Sequence, residues 1–322
     1  MRTLTLTAPA VLFAGVALAP TASASPFDAR LVAADAGWVI HVDVTAALES
    51  EIGHFMLDHM HEFGADMDDL KQIHDWLHFD PFEAIYGVTL YGFDEPGDDF
   101  VAIVIGSDDI AEGLAEAAEE DGSPVERVRG GFMIGDDVRV HVVEGRRANL
   151  YVFAEEEDLA RDALKVLDGR TSNMAEADWG GIEAPDEPGV LAFVAFAGSL
   201  TDLMDEDDLE DLSHLGPAER FIAGASDFSA FIAESRGEFT LGVRFYAENE
   251  AEAEGFEQLL HGLVGMAHGI AAMNQDAEMD EEFAMFMDLL AGVRIDSEDR
   301  LVTVGLTYDV EDVLELIEEA DF

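Results

Sequence analysis

Acidic residues outnumber basic ones 71 to 16 in this chain, a formal net charge of −55. Self-repulsion on that scale opposes any compact state unless dissolved salt screens it. The charge therefore points to a protein adapted to salty surroundings, with a specific role in cation binding as the competing reading. It also makes nucleic acid and anionic membranes poor partners, because both need the opposite sign, and no nucleic-acid partner is expected.

The first residues say where such a chain goes. Arg2 precedes an apolar run from Leu4 to Leu18, and Ala22-Ser23-Ala24 supplies the small-x-small pattern that signal peptidase accepts. Residues 1–24 are thus expected to be a Sec-type signal peptide cleaved near Ala24, and the protein to be secreted or periplasmic. Its removal takes away Arg2 alone among the charged residues, leaving the mature chain one unit more negative. The apolar run is too short to span a bilayer, and no transmembrane segment is expected in the mature chain. Cysteine is absent. That excludes a lipid anchor on cysteine, disulfides, thiol nucleophiles, thiolate zinc and iron–sulfur clusters. A chain of this length can bury a core large enough to fold without disulfides.

Hydrophobic periodicity predicts an α+β fold. Trp38, Ile40, Val42 and Val44 alternate with Val39, His41 and Asp43, the period of a strand with one apolar face. A helical region is expected over 45–79, bent near Gly64. "IYGVTLYGF" and "FVAIVIG" read as strands, the second apolar on both sides and so central in a sheet. A helix follows Ser107, further strands fill 125–153, and the next helix ends at Gly169. The stretch 171–188 is rich in Gly, Pro and polar residues and reads as a linker. Beyond it the order recurs: a buried strand at 190–198, an acidic helical piece around "LTDLMDEDDLEDL", a hairpin of "DFSAFIAES" and "FTLGVRFYAEN" (239–249), and a helix capped by Asn249. "RANLYVFAEEEDLARDALKVLDG" (147–169) and "DRLVTVGLTYDVEDVLELIEEA" (299–320) share one layout of arginine, apolar strand, acidic helix start and amphipathic helix. The expectation is two related sheet-plus-helix units, 25–170 and 189–322, from an internal duplication.

"ADAGWVIHVDVTAAL" (34–48), with its W-V-x-H-V-D opening, "AIYGVTLYG" (84–92) and "LKVLDGR" (164–170) resemble a group of uncharacterised exported α+β proteins of planctomycete-type bacteria. The resemblance covers most of the first half and, more loosely, the second. It implies export and an α+β fold, and brings no active site, since its motifs are structural.

Four stretches carry chemistry-bearing residues. "HFMLDHMHEF" (54–63) puts His54, Asp58 and His61 together on one helical face, opposite Phe55, Met56, His59, Met60 and Phe63. Imidazole with carboxylate suits zinc, nickel or copper, but the helix-borne zinc signature of two His flanking a Glu is missing. A solvated helix face is the plainer reading, and no cofactor is expected, a divalent metal being the alternative. His74 and His78 lie beside the apolar stripe of the same region. His41 and Asp43 share the non-Trp face of the first strand, read as its polar outer side or as an acid/base pair. Arg127, Arg129, Arg139 and His141, with Arg146 and Arg147 nearby, are the one basic concentration. A hairpin presenting them on one sheet face would bind an anion or acidic partner, unless they merely neutralise neighbouring carboxylates. Gly262, Gly265 and Gly269 share a helical face that permits close packing onto a sheet.

The nucleophile elbow, the phosphate-binding loop and the dinucleotide fingerprint are all missing, and the acidic runs lack calcium-loop spacing. The functional expectation is an exported, acidic, non-enzymatic protein that binds an unknown envelope or extracellular partner or plays a structural role there. The competing class is a metal-dependent or carboxylate-based hydrolase.

Overall fold

A computed structural model describes residues 25–59, 76–93, 99–135, 137–145, 148–177, 189–199, 226–273 and 292–319. The fold is α+β, built from antiparallel strand pairs and helices, and it divides into two compact units. Described residues 25–177 and Val190–Ala192 belong to unit 1, and Gly189 with Phe193 and the described residues after it to unit 2.

Unit 1 runs β1 (Trp38–Val42), α1 (Val44–Glu49), α2 (Glu51–Asp58), α3 (Pro81–Ala84), β2 (Ile85–Gly92), β3 (Phe100–Gly106) and α4 (Asp109–Ala117). Then come β4 (Val125–Val128), β5 (Gly131–Ile134), β6 (Val138–Val143), β7 (Asn149–Ala154) and α5 (Glu157–Leu167). The strands stand in the order β1-β2-β3-β7-β6-β5-β4, each pair antiparallel. As expected of a strand apolar on both sides, β3 is central. One sheet face carries Val42, Val88, Val104, Tyr151, Val140 and Phe132, and packs on Ile110, Leu114 and Ala117 of α4. The register puts Val39, Thr89, Ile103 and Val152 on the other face. There α5 packs on β7, β3 and β6 and buries Ala160, Ala163 and Val166.

Local sequence sets most of the element ends. Asp43 caps α1, accepting from the Ala46 N–H at 3.0 Å. Ser50 caps α2, accepting from Gly53 N–H at 2.9 Å while its hydroxyl donates to the Ala47 carbonyl. Its extended backbone breaks the helical region well before Gly64. Asp80 caps α3, with Pro81 at the first helical position. Gly169 closes α5 at φ 66°, and Arg170 N–H then donates back to the Lys165 carbonyl, a left-handed helix stop.

The stretch expected as a linker starts docked rather than free. Met174 N–H donates to the Val32 carbonyl at 2.8 Å, Ala33 bridges Asn173, and the Met174 side chain is buried. So 171–177 pack in unit 1, because Met174 supplies the apolar anchor that a Gly/Pro-rich composition hides. Residues 178–188 lie outside the described residues.

Unit 2 runs β8 (Val190–Ser199, its first three residues counted in unit 1), β9 (Ser226–Ser235), β10 (Glu238–Tyr246), α6 (Glu250–Met273), β11 (Val293–Glu298), β12 (Leu301–Asp309) and α7 (Val310–Glu319). The strand order is β8-β9-β10-β12-β11. The β9–β10 hairpin turns on Arg236 and Gly237, at φ 59° and 78°, the left-handed pair that a two-residue turn requires. Asn249 caps α6 through a 3.1 Å bond from Glu252 N–H. Ala253, Phe256 and Leu260 of α6 then pack on Phe245, Val302 and Val304.

Candidate functional site

His41 and Asp43 are where sequence and structure part most sharply. Period-2 reasoning put both on a polar outer face; they are 1% and 2% exposed. The correction has a simple cause: the segment from Ser25 to Val32 covers this side of β1. Phe27 lies 5.6 Å from the His41 ring, and His41 Nε2 bonds the Ser25 carbonyl at 2.9 Å. A carbonyl only accepts, so Nε2 carries the proton; Nδ1 then accepts from the Thr89 hydroxyl at 2.9 Å. Thr89 stands directly opposite His41 in the β1–β2 register. Burial pushes the His41 imidazole down to about 4, so the ring is neutral.

Asp43 does not meet His41 as an acid/base partner. Its carboxylate faces the backbone N–H groups of Ala46, Ser25 and Thr45, while burial first, and Glu49 further, raise its pKa. Asp43 N–H donates to the Leu191 carbonyl at 3.0 Å. Both side chains are therefore held at the corner where β1 turns into α1 by different partners, sharing only the main chain of Ser25. A cavity of about 550 Å³ lies between the Ser25–Leu31 segment and Ile105, Gly145, Ala148 and Leu150.

The histidine-rich decapeptide is helical as far as Asp58. His54 and Asp58 are exposed, as expected of a solvated face, and Phe55 and Met56 are half-buried. His59 closes the helix, its Nδ1 2.9 Å from the Phe55 carbonyl and its ring stacked on Phe55 at 4.1 Å. His61, Met60, Phe63 and His74 lie outside the described residues. His78 sits at φ 59° with Nε2 3.4 Å from Glu120. Among the described residues, no group of three or more His, Asp or Glu is arranged to hold a metal ion.

The expected basic face is split by the strand register, a second correction. Arg127 pairs with Phe132 and Phe132 with Val140, which places Arg127 on the α4 side of the sheet with its guanidinium 5.8 Å over the Phe132 ring. Arg139 pairs with Ala154 and His141 with Val152, on the α5 side. There Arg139 reaches Glu157 of α5 at 3.4 Å, and burial, with Arg139 second, lowers the His141 pKa. Arg129 is exposed in the turn between β4 and β5; Arg146 and Arg147 lie outside the described residues. Alternation along each strand was legible, but the cross-strand register that decides the face was not.

The glycines of α6 are a third correction. A methyl group added at Gly262, Gly265 or Gly269 would meet nothing within 4 Å, so these positions do not pack on a sheet among the described residues. Leu263 and Met266 beside them are 42% and 57% exposed. No described helix is long and apolar enough to cross a membrane.

No protein-family model and no curated protein matches the chain. Among solved structures, crystal form III of TP0453 is similar over 92% of this chain and 99% of its own, at 11% identity and a TM-score of 0.41. Crystal form IV of TP0453 is similar over 92% and 98%, at 11% identity and a TM-score of 0.44.

Proposed function

We propose that this chain is an exported, salt-adapted protein that acts by binding or as a structural element in the cell envelope or outside it. The observation that carries the reading is the Ala22-Ser23-Ala24 pattern directly ahead of Ser25, a residue that is itself buried against His41 in unit 1. Support for a non-enzymatic role comes from His41: both of its ring nitrogens are committed to Thr89 and Ser25, which leaves none for a substrate. Expressed with its native N-terminus in a bacterium, the protein should be recovered outside the inner membrane and shortened to Ser25. Recovery from the cytoplasm with Met1 intact would refute export. The hydrolase alternative predicts stoichiometric zinc, nickel or copper in protein purified without chelator or tag, lost in a His54→Ala/His61→Ala variant. Salt adaptation predicts a urea midpoint that rises between low and molar NaCl, because screening length falls from ~30 Å at 0.01 M to ~3 Å at 1 M.

We also propose that the two units descend from one duplicated unit. The support is topological: β1-β2-β3-β7-β6 and β8-β9-β10-β12-β11 run in the same relative order, each last-formed strand inserted between the third strand and a hairpin partner. Each inserted strand is followed by an amphipathic helix, α5 or α7. An experimental structure in which the five strand pairs fail to superpose in that order would overturn the proposal.

A further inference from the structure

Ser25 is gripped on both sides of its main chain. Its carbonyl accepts from His41 Nε2 at 2.9 Å, and its N–H faces the Asp43 carboxylate. The side chain is seated too. Gly87 leaves room for it, since a methyl there would come within 2.9 Å of the Ser25 hydroxyl and 3.0 Å of its Cβ. Ser25 as a whole is 9% exposed. Such a seat is more than a chain passing over a sheet requires.

Asp43 supplies the second, independent observation. It is 2% exposed and set among N–H donors, yet the charged side chain acting on it is Glu49, of its own sign. Among the described residues no basic side chain forms an ion pair with it. A carboxylate buried without a cation is costly, and a cation brought against it is correspondingly favoured. Of the three backbone N–H groups that face it, those of Ala46, Thr45 and Ser25, only the nitrogen of Ser25 can become a cation, by cleavage of the bond before it.

We propose that hydrolysis of the Ala24–Ser25 bond completes this corner: the new α-ammonium of Ser25 forms a buried ion pair with Asp43, while His41 and Gly87 fix the residue that carries it. This rests on the export reading above. The covalent step is amide hydrolysis by a signal peptidase. Water adds its oxygen to the Ala24 carbonyl carbon, the C–N bond breaks, and Ala24 leaves as a carboxylate. Ser25 N takes a proton to become an amine, and a second from solvent at neutral pH. Because Ser25 is buried in the folded unit, cleavage precedes docking of the segment. The site is position-specific. One extra residue carries the ammonium up to ~3.6 Å away along the chain, and a chain starting at Pro26 has neither the ammonium nor the Ser25 carbonyl that His41 holds.

The test compares four chains: residues 25–322 with a free Ser25 amine, the same chain N-acetylated, and both forms carrying Asp43→Asn. Asparagine keeps the α1 cap, so the variant tests the charge rather than the helix end. The titratable groups at Ser25 are Asp43 and His41, and Glu49 acts on Asp43; Asp28 and Arg30 on its own segment pair with each other. In the folded free-amine chain, NMR titration should place the α-amine at least about one unit above its ordinary ~7.7–8.0. Its urea midpoint at pH 7 should exceed that of the acetylated chain, and Asp43→Asn should abolish the difference. A raised folded pKa means that the advantage is complete below the ordinary amine value. It disappears as pH rises through the folded one. Equal midpoints for free and acetylated chains, or an advantage that persists in Asp43→Asn, would overturn the ion pair while leaving export intact. Exported protein whose mass shows a start other than Ser25 would overturn the processing site, and a chain never exported would overturn both readings.

Discussion

In unit 1 the sheet closes over polar side chains: Ser25, His41, Asp43, Thr45, Ser50, Thr89 and Asn149 are all buried. In unit 2, among the described residues, Ser229 alone is both polar and buried. Several buried polar groups of unit 1 satisfy one another and the backbone, although Trp38 Nε1 and Asn173 Oδ1 are buried without a hydrogen-bond partner. Asn149 Nδ2 donates to Asp108 at 2.7 Å, Asn149 Oδ1 accepts from Gly145 N–H, and the Tyr151 hydroxyl donates to the Ser107 carbonyl at 2.6 Å. Unit 2 relies on apolar contact, as where Phe256 meets Phe245 edge-on at 5.9 Å. Apolar packing is forgiving of chemistry and sensitive to volume, whereas buried hydrogen bonds are sensitive to protonation and geometry. The two units should therefore fail differently.

The largest effect belongs to unit 2. Phe245→Ala should cost ~3–5 kcal/mol, from lost burial and the cavity left among Ala253, Phe256 and Val302. Hydrogen exchange should show β10 and β12 losing protection while β2 and β3 retain theirs. Equal loss in both units would mean that they unfold as one, and the comparison would collapse to a single stability.

Acid is the next test, and it should strike unit 1. A histidine whose folded pKa is lowered to about 4 stays neutral while the unfolded chain takes up a proton near its ordinary value. Its linkage is thus silent above that ordinary value. Stability falls as pH drops through the window from ~6.5 to ~4, by up to about 3 kcal/mol. Asp43, raised by burial, has the opposite sign: its ionisation costs stability, and that cost is relieved as pH falls through its folded pKa. Urea midpoints at pH 7 and pH 5 for the wild type and His41→Gln would check this. The variant should have lost the histidine component of the slope. An unchanged slope would mean that His41 does not titrate on unfolding.

A smaller effect sharpens the same point. Asn149→Ala strips Asp108 and the Gly145 N–H of their partner and should cost ~1–3 kcal/mol, read as a lower urea midpoint with unchanged slope. Smallest of all is His54→Ala, an exposed change that should stay within ~0.5 kcal/mol. A larger loss, reversed by added zinc, would restore the metal reading of that helix.

One device occurs in both units and cautions against reading the shared strand order too literally. Gly92 lies under the Trp38 indole and Gly242 under the Phe231 ring, each glycine directly opposite its aromatic. The pairs occupy β1–β2 and β9–β10, which are not equivalent positions in the two strand orders. A glycine beneath an aromatic is a local solution to close strand approach, and it arises wherever pleat and ring size call for it.

Much of the fold was legible because it is local. Caps act across two or three residues, so Asn249, and the stop at Gly169, could be read directly from the chain. The alternation of β1 and the two apolar sides of β3 were equally plain, as was the exposed face of His54 and Asp58. What alternation cannot say is what covers each face. His41 read as surface because its cover comes from Ser25 to Val32, residues that only the folded chain brings over it. Arg127 and Arg139 read as neighbours because each strand was visible but their register was not. Local backbone preferences and capping bonds are decided within a turn of chain, and sequence alone determines them. Burial, register and the partners of a buried charge are decided by long-range closure, where segments far apart in sequence compete for the same surface, and only the tertiary structure settles which one wins.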